Sequence, residues 1–334
     1  MLLRLSAVVL LCLASLTARA EVALLTSIKP LQLIAAAVQD GVGTPDVLLP
    51  PGASAHHYML KPSEVRRLRQ ADLFYWVGPD LESFLPRLLD GRTNPSLAVQ
   101  TLAGLQLRHF GDDQHADHDH DHDHDHDHDH DHDHDHDHDH DHDHDAPVAH
   151  DDHDHDHRPG SLDAHLWLLP ANARVIAARM ADDLAARDPA NAARYRANLA
   201  AFEQRLDTLD QRLRTRLAPL AGKPYFVFHE AYDYFEAAYG LRHAGVFSLG
   251  EVQLGARQVA QLRERLRAAG ATCVFYEPPQ APRLAQTLIE GLPVRLASLD
   301  ALGYDLSVDA RGYERLLESL GEQLAGCLTP AGVQ

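Results

Sequence analysis

The chain lacks any apolar run near the roughly 20 residues that a membrane-spanning helix requires. Its apolar stretch at Leu5–Leu16 is shorter than that. Cysteine is scarce, with three residues in 334, so at most one intramolecular disulfide can form. Neither HExxH nor GxSxG occurs, which removes the local signatures of a zinc protease and of a serine hydrolase built on a nucleophile elbow. Between Asp112 and Asp156 there is no Lys or Arg. A surface of that sign excludes nucleic acid as a partner and suits cations.

What fills that segment is an uninterrupted Asp/His alternation from Asp117 to Asp145, with 14 His and 15 Asp, and a shorter run from His150 to His157. It holds 21 of the 49 acidic residues. The rest of the chain, with Arg4 and Arg19 set aside, carries 28 basic and 28 acidic residues, so the formal charge of −19 belongs to this segment. Such a composition has nothing to bury and predicts a disordered loop over 112–157. Neutral imidazole binds zinc, copper and nickel, and carboxylate adds harder oxygen donors. The segment therefore reads as an accessory metal collector. Its imidazoles are His118, His120, His122, His124, His126, His128, His130, His132, His134, His136, His138, His140, His142 and His144, followed by His150, His153, His155 and His157. The ordinary alternative is a solvated linker produced by expansion of a dipeptide repeat.

Residues 1–20 combine a basic start at Arg4, an apolar stretch and Ala18-Arg19-Ala20, which predicts a cleavable signal peptide and an exported, periplasmic protein. Leu11 before Cys12 argues against lipidation. The oxidising compartment then favours pairing Cys273 with Cys327, two reduced buried thiols being the alternative.

Strand and helix signals alternate through the remainder. Strands are predicted at Val22–Thr26, Asp46–Leu49, Leu73–Val77, Tyr225–Phe228, Cys273–Tyr276 and Val294–Ala297. Helices are predicted at Leu31–Gln39, Pro62–Gln70, Leu81–Leu89, Ala256–Ala269 and Pro282–Glu290. Alternation of this kind predicts an α/β fold with parallel sheets. From Pro189 to Leu220 apolar residues recur every three or four positions, which predicts one long helix. The organisation expected is an N-terminal α/β lobe over 21–187, a connecting helix over 188–221 and a C-terminal α/β lobe over 222–334.

Seven His lie outside the Asp/His runs: His56, His57, His109, His115, His165, His229 and His243. His56 and His57 follow one predicted strand, and His229 ends another. Asp300 holds a similar place after RLAS. Carboxyl ends of strands are where open α/β sheets bind ligands. His165 sits in the apolar SLDAHLWLLP, with Asp163 two residues before it and able to orient the ring. A single His of that kind is more often structural. Three such His, spread over more than 170 residues, suit a metal site assembled by tertiary folding rather than a local zinc motif.

The segments SIKPL, VLLPPGASAHHY, ADLFYWVGPDLESFL, DAHLWLLP, KPYFVFHEAYDYFEAAYGL, ATCVFYEPP and LASLDALG occur in that order across the chain. Together they resemble the periplasmic zinc-binding component of a bacterial ABC-type zinc importer, including its acidic His-rich insertion. The resemblance implies two α/β lobes joined by a rigid backbone helix, Zn2+ between them, and delivery to an inner-membrane ABC permease driven by a cytoplasmic ATPase. It places the ligands at His56, His165 and His229, with Asp300 as candidate fourth ligand and His57 as a neighbour. Some zinc members carry Glu before the first ligand, where this chain has Ala55. Cys273 and Cys327 match the family's disulfide pair. Glu230 and Glu277 take supporting roles, Glu277 being better suited to orient a ligand. A monomer that is not an enzyme is expected. A periplasmic zinc buffer or chaperone is the alternative function, and a three-His zinc hydrolase a further one.

Overall fold

The computed structural model describes residues 21–111, 160–247, 256–279 and 283–329. The predicted signal peptide and the Asp/His segment, with its candidate metal-binding residues from His118 to His157, lie outside the described residues.

The first half builds one sheet from β1 (Leu24–Thr26), β2 (Asp46–Val47), β3 (Leu73–Trp76) and β4 (Ser96–Ala98), in the order β2-β1-β3-β4. The second half repeats that order with β5 (Tyr225–Val227), β6 (Gly245–Val246), β7 (Thr272–Tyr276) and β8 (Val294–Ser298), arranged β6-β5-β7-β8. Every strand pair is parallel. The central strands LLT, LFYW and YFV are wholly buried, as strands covered on both faces must be. In each lobe the first and third strands lie side by side, so the crossovers diverge there and a crevice opens at their carboxyl ends.

Helices cover the sheets: α1 (Lys29–Val38), α2 (Pro62–Gln70), α3 (Pro86–Leu89), α4 (Pro170–Arg187), α5 (Ala192–Leu217), α6 (Asp233–Tyr239), α7 (Ala256–Ala269), α8 (Arg283–Ile289) and α9 (Gly312–Leu328). Proline in the first turn starts α1, α2, α3 and α4, where its missing N–H has no intrahelical partner to lose. Nine residues of α1, Pro30 to Val38, are buried, because it is packed between its own sheet and other helices.

The connecting helix α5 has 26 residues, about 39 Å at 1.5 Å each, with one 3-10 turn at Pro189–Asn191 and another at Ala218–Leu220. Tyr195, Phe202, Leu206, Leu209, Leu213 and Leu217 form its buried stripe. It does not stand alone: α1, α4 and α9 all pack on it. One continuous apolar cluster runs from Leu24 and Phe74 in the first lobe through Phe202 to Tyr225 and Phe275 in the second. Arg205 on α5 pairs with Glu314 on α9, and Asn198 donates to the carbonyls of Val38 and Asp40.

Three features differ from the sequence expectation. Strands β4 and β6 have three and two residues, too short and too exposed to give an apolar run. Helix α4 is absent from that expectation: its buried stripe mixes Ala173, Ala177 and Ala181 with Ile176, Met180 and Leu184, which dilutes the apolar contrast. The helix expected over Leu81–Leu89 contracts to Pro86–Leu89, since Pro86 has no N–H to continue a preceding turn.

Cys273 and Cys327 form a disulfide with Cα atoms 6.2 Å apart, tying β7 to α9. Closing a loop with a sequence separation of 54 restricts the unfolded chain by about 4 kcal/mol. Replacing both cysteines with Ala is expected to lower unfolding stability by about that amount, measured by urea titration. An unchanged midpoint at unchanged slope would contradict it.

Candidate metal centre

His56, His165 and His229 come from three separate segments and meet between the lobes. Each offers a ring nitrogen within 4.8 Å of the other two. Ring centroids are 5.5 Å apart for His56 and His165, 5.3 Å for His56 and His229, and 4.9 Å for His165 and His229. Nitrogens on a tetrahedral zinc ion lie about 3.4 Å apart, so small inward shifts suffice for a common ion.

His56 is carried by the loop after β2, which turns through Pro50, Pro51 and Gly52. Ala55 is buried and His57 is exposed, so the loop turns one imidazole of the pair inward. His57 is not in the cluster. His165 precedes the short Leu166–Leu168 turn that leads into α4 and is 2% exposed. His229 lies two residues beyond β5, at the crevice between β5 and β7. Glu277 lies just beyond β7 on the other side of that crevice.

Carboxylates orient two of the rings. Nδ1 of His165 is 2.7 Å from Asp163 Oδ1, and that oxygen also accepts the His165 backbone N–H at 2.9 Å. Nδ1 of His229 is 3.0 Å from Glu277 Oε2. A proton held on Nδ1 leaves the Nε2 lone pair for a cation, and the paired carboxylate raises ligand basicity. Burial pushes the Asp163 carboxyl well up, against the opposing pull of the His165 backbone N–H. Burial also pushes Glu277 up, but the charges and hydrogen bonds of His229, His56 and Tyr232 outweigh it and hold Glu277 below the usual carboxylate range.

Asp300 does not join the cluster. Its Oδ1 accepts the backbone N–H groups of Leu302 and Gly303 at 3.0 and 2.8 Å, and its Oδ2 accepts that of Tyr304 at 2.6 Å. The expected fourth ligand thus closes a turn whose Gly303 has φ +69°. The sequence signal, a carboxylate at a strand end before Gly, is shared by ligands and turn caps alike. A cluster that sequence reading missed lies nearby: Glu230, Asp233 and His243. Its trace was the three-residue spacing of Glu230, Asp233 and Glu236, interrupted from His243 by Gly240.

In the first lobe the crevice between β1 and β3 is filled instead. Glu82, fully buried, accepts Ser27 Oγ and the backbone N–H groups of Val77 and Gly78, and burial pushes its carboxyl up to about 7. The imidazole-lined cleft therefore rests on the second lobe's switch point.

Fold and cluster together define a two-lobed α/β binding protein with a nitrogen-rich candidate cation site between its lobes. The chain belongs to the family described as zinc-uptake complex component A, periplasmic (ZnuA), whose model matches residues 24–327. It is 39% identical over 311 residues to the high-affinity zinc uptake system protein ZnuA of Yersinia pestis, covering 92% of each chain. It is 38% identical over 320 residues to the protein of that name from Paracoccus denitrificans, covering 94% of each. Among solved structures, one of ZnuA matches with a TM-score of 0.70 at 21% identity, covering 93% of this chain and 100% of that one. A ZnuA deletion mutant with zinc bound matches with a TM-score of 0.67 at 21% identity, covering 93% and 99%.

Replacing Glu277 with Gln is expected to weaken metal affinity roughly 10- to 100-fold with the fold retained, as losses of ligand-orienting groups do. Competition against a chelator of known affinity would measure it. Unchanged affinity would show that Glu277 does not orient His229.

Proposed function

We propose that this protein captures Zn2+ in the cleft between its lobes, with His56, His165 and His229 as ligands, and delivers it to an inner-membrane ABC permease. The carrying observation is that three imidazoles from distant segments converge within 4.8 Å, two of them braced by carboxylates. Three neutral nitrogen donors favour zinc over the harder manganese and magnesium ions. The fourth donor is Asp300, whose carboxylate keeps a lone pair beyond the three backbone N–H groups of its turn, a water or a His of the Asp/His segment. The relatives' name, a high-affinity zinc uptake protein, supports the same cargo and a binding rather than a catalytic role.

Residues 1–20 act in this reading as a cleavable signal peptide, and the mature monomer works in the periplasm. Its parts are an N-terminal lobe over 21–187, a connecting helix over 188–221 and a C-terminal lobe over 222–334. The Asp/His segment over 112–157 gathers zinc weakly and raises its concentration near the cleft. It is accessory to the tight site.

A chain lacking 112–157 is expected to keep one tight zinc ion and lose only weaker ones in calorimetric titration; loss of all tight binding would instead support a buffering protein. His229→Ala in the full chain should weaken the tight site by orders of magnitude and abolish zinc-limited growth. Normal uptake by that variant would remove His229 from the ligand set. Because imidazole must be neutral to bind, affinity should fall as pH drops below about 6.5. Equal affinity at about pH 5 would count against imidazole ligands.

A further inference from the structure

Asp300 stands beside the cleft without joining the cluster, and the turn it caps is gripped by the first lobe. Tyr304 is the link. Its N–H donates to Asp300 Oδ2 at 2.6 Å, while its carbonyl accepts Lys29 Nζ at 2.8 Å, a bond between residues 275 positions apart. Lys29 is half-buried and opens α1, three residues beyond β1. Two further contacts hold the same turn. Trp167 Nε1 donates to Ala301 O at 3.0 Å, and Gly52 lies so close to the Tyr304 ring that a β-carbon there would stand 3.3 Å from Cε2. Gly52 has φ +79° and belongs to the loop that carries His56.

This turn limits how far the Asp300 carboxylate reaches. Each carboxylate oxygen has two lone pairs. Oδ1 accepts Leu302 and Gly303 and Oδ2 accepts Tyr304, so the remaining lone pair sits on the oxygen that Tyr304 holds. Swinging Asp300 towards an ion among the three His either breaks those bonds or carries the turn along, and the Lys29 bond opposes the second movement. The Lys29 charge acts in the same sense: burial lowers its pKa, and the Asp300 and Asp305 carboxylates pull it back up, so the ammonium attracts the carboxylate it helps to restrain. Asp300 also feels the cleft. Burial pushes its carboxyl up, the three backbone N–H groups pull it down, and the Glu277 carboxylate that braces His229 adds to the upward push. Released from its turn, Asp300 brings a hard oxygen donor to a nitrogen-rich site, and harder donors favour manganese relative to zinc.

We propose that, given zinc capture by the three His, Lys29 is a positioning residue for metal choice: by holding Tyr304 and with it the Asp300 turn, it keeps the carboxylate back and leaves the imidazoles to set the preference for zinc. Of the donors open to the fourth position, Lys29 thus disfavours Asp300. It touches no ion itself.

Full-length chains carrying Lys29→Met, Asp300→Asn or both are compared with wild type, with manganese chloride and zinc chloride each competing for the tight site against a chelator of known affinity. The Asp/His segment is present in all four and cancels between them. Lys29→Met is expected to raise manganese affinity relative to zinc about tenfold, and the double variant to show no such rise over Asp300→Asn alone. A purely structural role, or loss of one positive charge, moves both metals together, so an unchanged ratio in Lys29→Met overturns the proposal. A rise that persists in the double variant also overturns it, because Asp300 is then not the donor released. Should Lys29→Met fail to fold, Lys29→Ser, too short to reach Tyr304, is read in its place. A wild-type chain without a tight zinc ion overturns the capture reading and this one together, whereas a tight ion with an unchanged ratio overturns this one alone.

Discussion

The segment from Asp163 to Trp167 is held from both lobes at once, and the geometry of the cleft depends on it. Asp163 N–H donates to Arg108 O, and Tyr234 donates to Asp163 O. Trp167 Nε1 donates to Ala301 O, while Tyr313 donates to Trp167 O. Those partners lie before the segment and far beyond it, on α6, on α9 and in the turn after β8. Because these bonds are buried, breaking any of them leaves a polar group unsatisfied. His165 sits in the middle of this clamp, with Asp163 fixing its ring. One imidazole of the candidate site is thereby set by the joint position of the two lobes.

Around that fixed point the other imidazoles are arranged unequally. His229 and Glu277 stand at the ends of adjacent strands, β5 and β7, in a crevice that the strand order opens. His56 comes from the loop after β2, which is rich in Pro, Gly and Ser. The two lobes share the order 2-1-3-4, yet among the described residues the imidazole cluster stands at the second lobe's crevice; in the first, Glu82 occupies the equivalent place. One topology thus gives a rigid support in one lobe and a binding edge in the other. Separation of the lobes is opposed by the apolar cluster that crosses them and by α1, α4 and α9 packing on α5.

Much of this was legible in the residues. Alternating strand and helix signals gave the α/β class and six of the eight strands. The three-to-four-residue spacing from Tyr195 to Leu217 marked the long helix and the face it buries. His56, His165 and His229 stood out because they sit at strand or loop ends, and the disulfide followed from compartment, count and family pattern. Less visible were β4, β6 and α4, whose short or alanine-rich segments carry little apolar contrast. Asp300 was ambiguous for a different reason: a carboxylate that caps a turn and one that binds a cation occupy the same place in a sequence.

By itself the sequence determined the local choices: which segments form strands and helices, which faces seek burial, and that the negative charge is concentrated between Asp112 and Asp156. Those follow from side-chain size, polarity and spacing over a few residues. Only the tertiary structure decided which His meet, which of His56 and His57 turns inward, and that Asp300 serves its own turn. It also decided that Glu230, Asp233 and His243 close into a group of their own. The physical reason is range: metal coordination needs atoms within a few ångströms, and His56, His165 and His229, 64 to 173 positions apart, reach that distance only once the chain has folded.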